Sequence, residues 1–182
     1  MFKTILITGC STGIGRALAQ AFQHSGQQVL ATARRPGDLL DLQETGIRIY
    51  ALDVNSADSI AALMAQLDAD GLVVDVLINN AGYGAMGPLA ELPQAELRLQ
   101  FETNVFALMA VTQAVVPGMV RRGRGRIINI GSVSGVLPTP FSGAYCATKA
   151  AVHALSDALR IELAPLGIEV MVVQPGAIES QF

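Results

Sequence analysis

The sequence predicts a doubly wound α/β domain, a parallel sheet covered by helices on both faces. Three observations carry this expectation. Short apolar, β-branched runs alternate with helical patterns along the whole chain, the sequence form of repeated strand, helix, strand units. The runs are near-continuously apolar, without polar alternation, as strands buried on both faces require. Gly26, Gly46, Gly71, Gly123 and Gly167 close the helical stripes where left-handed caps belong.

Six strands are expected. Residues 4–8 form the first, followed by a glycine-bearing turn and a helix with the core stripe Ile14, Leu18, Ala21 and Phe22. The second and third strands are residues 28–33 and 47–52. Ile60, Leu63, Met64 and Leu67 then fall at helical spacing before the fourth strand, residues 73–78. Leu97, Phe101, Val105, Leu108 and Val115 mark a long helix, residues 126–130 the fifth strand, and residues 168–174 the sixth. No linker, low-complexity tract or internal repeat interrupts the series, so residues 1–182 read as a single domain.

Such a chain buries a sizeable core, because folding at this length removes roughly 70% of the unfolded surface from water. A hydrophobic fraction of 51% with 15% charged residues excludes an intrinsically disordered chain. A net charge of −3 gives no drive toward phosphate backbones or anionic lipid, so neither nucleic acid nor membrane is expected as a partner. Residues 103–120 and 127–148 carry no charge, yet Asn104, Thr112, Gln113 and Pro117 interrupt the first, and Gly131, Gly135, Pro138, Pro140 and Gly143 the second. Both read as buried elements of a soluble core. Lys3 precedes only Ile5, Leu6 and Ile7 before Gly9, too short for a signal-peptide core. Two cysteines, Cys10 and Cys146, fit a reducing compartment, and the cytoplasm is the expected location.

In a doubly wound sheet the ligand sits beyond the carboxyl ends of the strands, where strand order reverses. The polar and glycine signatures cluster at those ends. After the first strand come Thr8, Gly9, Cys10, Ser11, Thr12, Gly13, Ile14 and Gly15, and the first helix begins among them. Glycines there let the backbone turn sharply, and a helix N-terminus offers unpaired N–H groups to a diphosphate. The spacing is not GxGxxG, and a tight connection is the alternative reading. The second strand ends in Ala33, Arg34 and Arg35. An acid at that place would favour NAD, whereas Arg34 suits the 2′-phosphate of NADP; a solvated basic pair is the alternative. Asp53 and Val54 close the third strand, and Asn79, Asn80, Ala81 and Gly82 the fourth. An Asp can accept from an adenine amino group, and small residues permit close approach to a ribose.

Ser132, Tyr145 and Lys149 form the sharpest constellation. Tyr145 and Lys149, four apart, share one helix face with Cβ atoms about 5 to 6 Å apart. A phenol with a reference pKa of about 10 is a poor acid or base at neutral pH, and a nearby ammonium is expected to lower that value. Ser132 then orients the substrate oxygen while Tyr145 exchanges its proton.

Taken together, Thr8 to Gly15, Asn79 to Gly82, Asn104, Ser132, Tyr145 with Lys149, and Pro175 with Gly176 fall in the order and approximate spacing of the short-chain dehydrogenase/reductase family. The resemblance covers essentially the whole chain and implies a Rossmann-like fold. It implies that Gly9, Ser11, Gly13, Ile14 and Gly15 hold the diphosphate, Asp53 and Val54 the adenine, and Asn80, Ala81 and Gly82 the ribose side. It further implies Tyr145 as acid/base, Lys149 as its modulator and ribose ligand, Ser132 as substrate-orienting hydroxyl and Asn104 as the relay residue that helps hold a water near the lysine. Pro175, Gly176 and Ile178 resemble the segment that meets the nicotinamide, with Ser180 where many relatives have threonine.

The resemblance therefore implies an enzyme interconverting a carbonyl and a secondary alcohol by hydride transfer, with no metal and a homodimer or homotetramer, and Ala33 with Arg34 makes NADP(H) the expected cofactor in preference to NAD(H). A non-catalytic nucleotide-binding protein or fragment, or an epimerase or dehydratase using the same Tyr and Lys, are the alternatives. Val136, Leu137, Pro138 and Phe141 near Ser132 suggest an apolar substrate. Family members continue past the sixth strand with a substrate loop and a last strand, so residues 1–182 are expected to keep a cofactor cleft without being an efficient enzyme alone. Arg121 to Arg126, rich in Arg and Gly, reads as a helix end and turn, and Cys10 and Cys146 as small core residues. His153 reads as structural. The Ala147, Ala151, Ala154 and Ala158 stripe reads either as packing within the subunit or as a subunit interface.

Overall fold

The computed structural model describes residues 3–178; Ser180 lies outside the described residues. Its six-stranded sheet has the order β3-β2-β1-β4-β5-β6 with every pair parallel. The strands are β1 (Thr4–Ile7), β2 (Gln28–Ala33), β3 (Arg48–Ala51), β4 (Val76–Asn79), β5 (Gly125–Ile130) and β6 (Ile168–Val173). Between them run α1 (Gly13–His24), α2 (Leu40–Glu44), α3 (Ala57–Ala69), α4 (Gln94–Phe101), α5 (Ala107–Arg122) and α6 (Gly143–Leu163).

Strand side chains alternate between two cores. On one face Leu6, Leu30, Leu77 and Ile127 meet α3 through Ile60, Leu63 and Leu67 and α5 through Val111, Val115 and Met119. On the other, Ile5, Ile7, Val29 and Ile78 meet Ala19, Leu18 and Phe22 of α1 and Leu42 of α2. Ala21, expected in the α1 stripe, is exposed, and Gly15 and Ala19 are buried instead. The five cap glycines all adopt positive φ, from 63° at Gly123 to 89° at Gly46.

Continuous burial holds in the central strands and fails at the edges. In β3 Arg48 and Ala51 are exposed, and in β6 Glu169, Met171 and Val173 are exposed while Ile168 and Val170 are buried. An edge strand has a partner on one side only, so its outer positions need not be apolar. β4 starts three residues later than expected. Asp75 holds the approach off the sheet ladder, its N–H donating to the Thr4 carbonyl (2.9 Å) and its carboxylate accepting from the Thr4 N–H (3.1 Å).

The expected long helix is broken. Glu102–Phe106 form a π turn between α4 and α5, which rotates the stripe so that Asn104 and Val105 are buried. Gln94–Arg122 is long and apolar enough to cross a membrane by length and composition. It lies instead along the sheet, with Val111, Val115 and Met119 in the core. At its end Arg122 donates to the carbonyls of Gly118 (2.7 Å) and Val74 (2.6 Å), and Arg126 pairs with Glu169 (2.6 Å), which accounts for the Arg-Gly segment structurally.

Candidate active site

Strand order reverses between β1 and β4, and the crevice opens beyond their carboxyl ends. It is a cleft of about 810 Å³. Every site residue expected from the sequence lines it except Gly15 and Asn104, which shape it from behind.

The glycine turn is built by close approach. Gly9 has φ of 72°, and a Cβ there would stand 2.9 Å from the Ala81 Cα. A Cβ on Gly15 would stand 2.4 Å from the Gly9 carbonyl oxygen and 2.4 Å from Asn80 Nδ2. Asn80, expected on the ribose side, braces the turn: its Nδ2 donates to the carbonyls of Thr8 and Gly9, both at 2.9 Å. Thr8 answers by accepting the Asn80 and Ala81 N–H groups on Oγ1, each at 3.0 Å. The ends of β1 and β4 are thus stapled, leaving the start of α1 facing the cleft. Thr12 makes no side-chain cap there, and an uncapped helix start of this kind is suited to an anion. Arg16 is turned away, bonded to the Ser11 carbonyl (3.2 Å) and paired with Asp41.

Arg34 is exposed at the cleft rim and, among the described residues, makes no ion pair, whereas Arg35 pairs with Asp38 at 3.3 Å. Asp53 accepts the Asn55 N–H (3.0 Å) and donates its own N–H to Ser59 Oγ (2.9 Å), which fixes its carboxylate at the cleft wall.

Asn104 is buried, and its side chain is fully engaged. Oδ1 accepts the Tyr83 N–H (3.0 Å), and Nδ2 donates to the Tyr83 carbonyl (2.8 Å) and to Thr148 Oγ1 (3.1 Å). Gln100, buried one turn earlier, also donates to the Tyr83 carbonyl (3.1 Å). Tyr83, Gln100 and Thr148 were not legible as a site from the sequence. The available signal was a glutamine beside Leu97 and Phe101 in a core-facing register, and a threonine between Tyr145 and Lys149.

α6 presents Tyr145 and Lys149 one turn apart. The phenol is half-buried and hydrogen-bonds the Ser132 hydroxyl. Lys149 is 6% exposed; its Nζ donates to the Ile130 carbonyl (2.7 Å) and lies 5.6 Å from the Tyr145 ring centroid. Burial depresses the ammonium to a pKa of about 8. Burial also raises the Tyr145 phenol above its ordinary value, and the Ser132 hydrogen bond pulls it back in part. The lowering expected from the Lys149 ammonium is opposed here by burial, which dominates at the tyrosine, while the ammonium itself donates to the Ile130 carbonyl.

The sequence profile of the short chain dehydrogenase family matches residues 3–182. The chain belongs to that family. It is an oxidoreductase of the short chain dehydrogenase type, acting on CH–OH groups. The chain is 39% identical to the uncharacterized oxidoreductase YbbO of Escherichia coli K12 over 184 residues, all of this chain and 68% of that protein. It is 38% identical to the 3-ketodihydrosphingosine reductase of Bacteroides thetaiotaomicron, covering 99% of this chain and 65% of that one. Among solved structures, a short-chain dehydrogenase from Streptomyces avermitilis superposes with a TM-score of 0.95 at 40% identity, over 100% of this chain and 68% of its own. A serine dehydrogenase complexed with NADP+ gives 0.94 at 36% identity, over 98% and 74%. A xylitol dehydrogenase with NAD+ bound gives 0.89 at 31%, over 96% and 70%.

The residues present fit the nicotinamide dinucleotide that this short chain dehydrogenase is expected to hold. The uncapped start of α1 and the Gly9 cradle suit a diphosphate, and Lys149 and Tyr145 also line the cleft. Among the described residues no group of three or more His, Cys, Asp or Glu is placed to hold a metal. Both cysteines are buried; burial pushes the Cys10 thiol up to about 12, far from a reactive thiolate. Val136, Leu137 and Phe141 are exposed beside the cleft and do not line it. The apolar lining of the cleft includes Met86, Leu99, Val133 and Ile178.

Proposed function

We propose that this short chain dehydrogenase interconverts a small apolar carbonyl compound and its secondary alcohol with NADP(H). The observation that carries the reading is the Ser132 hydroxyl bonded to the Tyr145 phenol, with the Lys149 ammonium 5.6 Å from the ring centroid. The bound nicotinamide supplies or accepts the hydride. Ser132 orients the substrate oxygen, and the Tyr145 hydroxyl gives that oxygen a proton in reduction and takes one in oxidation. Lys149 holds positive charge beside the phenol and the ribose. The Asn104 side chain is occupied by Tyr83 and Thr148, so its relay role falls to the backbone carbonyl within the π turn.

Arg34, exposed and without an ion pair among the described residues, supports NADP(H), as does Ala33 where a carboxylate would repel the 2′-phosphate. The named NADP+ and NAD+ complexes of two relatives bracket the choice. Met86, Leu99, Val133 and Ile178 support a neutral, apolar substrate. A relative named for reducing 3-ketodihydrosphingosine supports a ketone. Exposed Ala147, Ala154 and Ala158 on α6, with Phe106 57% and Ile161 77% exposed, support a homodimer or homotetramer rather than packing within the subunit. Two buried free cysteines suit the cytoplasm.

The test follows NADPH and NADH absorbance with apolar ketones beside keto acids of equal length. Faster loss of NADPH with the apolar carbonyls is expected. Turnover restricted to keto acids, or equal use of both dinucleotides, contradicts the substrate or cofactor part respectively.

A further inference from the structure

One turn beyond Lys149, α6 sends His153 into the junction that holds Ser132. Its Nε2 accepts the Ser132 backbone N–H at 3.4 Å, which puts the proton of the neutral ring on Nδ1. Glycines on either side make room for the imidazole. A Cβ on Gly131 would stand 2.4 Å from His153 Nε2, and one on Gly135 would stand 2.5 Å from Cε1. Among the described residues, the other hydrogen bonds on the serine are those of its own turn, where Oγ accepts the Ser134 N–H (3.1 Å) and the carbonyl accepts the Gly135 N–H (3.0 Å), and the one between its hydroxyl and Tyr145. The histidine is therefore the side chain from another element that grips the Ser132 backbone.

We propose that neutral His153 is a positioning residue for Ser132, gripping its backbone N–H between Gly131 and Gly135 and so aiming the hydroxyl that meets Tyr145. This rests on the reading of Ser132 as the substrate-orienting group. An imidazolium has two donors and no acceptor, so protonation of His153 abolishes the grip. The charges acting on the ring are Lys149 one turn before it and Asp157 one turn after, both on α6. The facing turn contributes Gly131 and Gly135, and β6 contributes Val172, all uncharged. Burial and Lys149 outweigh Asp157 and hold the imidazole below its ordinary value of 6.5, so the acceptor form prevails at neutral pH. As pH falls through that lowered value, the Ser132 backbone is released and kcat falls with it, while cofactor affinity does not.

The test combines ring ¹⁵N shifts of His153, hydrogen exchange of the Ser132 amide, and kcat, KM and cofactor Kd as functions of pH. It compares the unmodified protein with His153→Gln and His153→Leu. The Nδ1–H tautomer, and a Ser132 protection factor (exchange relative to the intrinsic rate at each pH) that falls as the ring protonates, are expected. His153→Leu should lose on the order of tenfold or more in kcat, as a misplaced hydroxyl implies, with cofactor Kd unchanged. Gln offers a carbonyl acceptor that does not titrate, so His153→Gln should recover most of the rate lost in the Leu variant and lack the acid limb. An Nε2–H tautomer, Ser132 exchange indifferent to the ring, or an unaltered acid limb in the Gln variant overturns the proposal. If the Leu variant does not fold, the Gln variant and the ring shifts decide. If no carbonyl is turned over even by the unmodified protein, the proposed activity fails, and the tautomer and amide exchange still test the grip.

Discussion

Lys149 Nζ lies 5.6 Å from the centroid of the Tyr145 ring while giving its hydrogen bond to the Ile130 carbonyl at 2.7 Å. The buried ammonium is therefore held ready beside the phenol at a cost in stability, since burial opposes its charge.

That cost is measurable. The lysine pKa falls from 10.5 to about 8 on folding, a difference worth about 3 kcal/mol against the charged form. Below about pH 8 the group is charged in both states and the penalty is fully present. Between about 8 and 10.5 the unfolded chain binds more protons, so this group's contribution to stability rises with pH. Lys149→Met should raise the unfolding free energy at pH 7 by about 1 to 3 kcal/mol, less what the orphaned Ile130 carbonyl costs, and abolish turnover. Denaturant titrations of both proteins from neutral to alkaline pH check it; the difference should shrink as pH rises.

The Ser132 hydrogen bond lowers the phenol against the rise caused by burial. Ser132→Ala should move the alkaline limb of alcohol oxidation to higher pH and reduce kcat on the order of a hundredfold or more. Stopped-flow rates as a function of pH read the shift, and the apparent ionisation belongs to the Tyr145 and Lys149 site as a whole. An unmoved limb would remove Ser132 from the proton-transfer path.

Arg34→Ala should weaken NADP(H) binding by about 1.5 to 3 kcal/mol, the value of a charge-assisted phosphate contact, and leave NAD(H) affinity nearly unchanged. Calorimetric titration with both dinucleotides separates the two. Equal losses for both would place the arginine away from the 2′-phosphate.

At Gly15 a methyl group would sit 2.4 Å from the Gly9 carbonyl and Asn80 Nδ2. Both neighbours belong to the staple between β1 and β4, so neither can yield cheaply. Gly15→Ala should cost about 1 to 3 kcal/mol in stability and weaken dinucleotide binding, measured by thermal unfolding with and without NADPH.

The sheet was legible because central parallel strands must be apolar throughout, and cap glycines mark the helix ends. Edge positions such as Glu169 and Arg48 escaped that rule, since a strand with one neighbour is not buried on both faces. The π turn at Asn104 escaped as well, because a one-residue slip in helical register leaves the apolar stripe only slightly displaced. Residues that touch the cleft with their own side chains, such as Tyr145 and Arg34, declare themselves by type and position. Those that act through a backbone, such as Thr8 on Ala81, Asn104 on Tyr83 and His153 on Ser132, depend on tertiary contacts that no local pattern encodes.

Proton transfer by Tyr145 is the centre of the account. The direct measurement is single-turnover oxidation of NADPH by an accepted apolar carbonyl in Tyr145→Phe, beside the NADPH dissociation constant of the same variant. Loss of turnover by about 10² to 10⁴ or more, with NADPH affinity within a few-fold of the unmodified protein, is expected when a general acid alone is removed. A near-normal rate in Tyr145→Phe would contradict the account and assign the proton to another group.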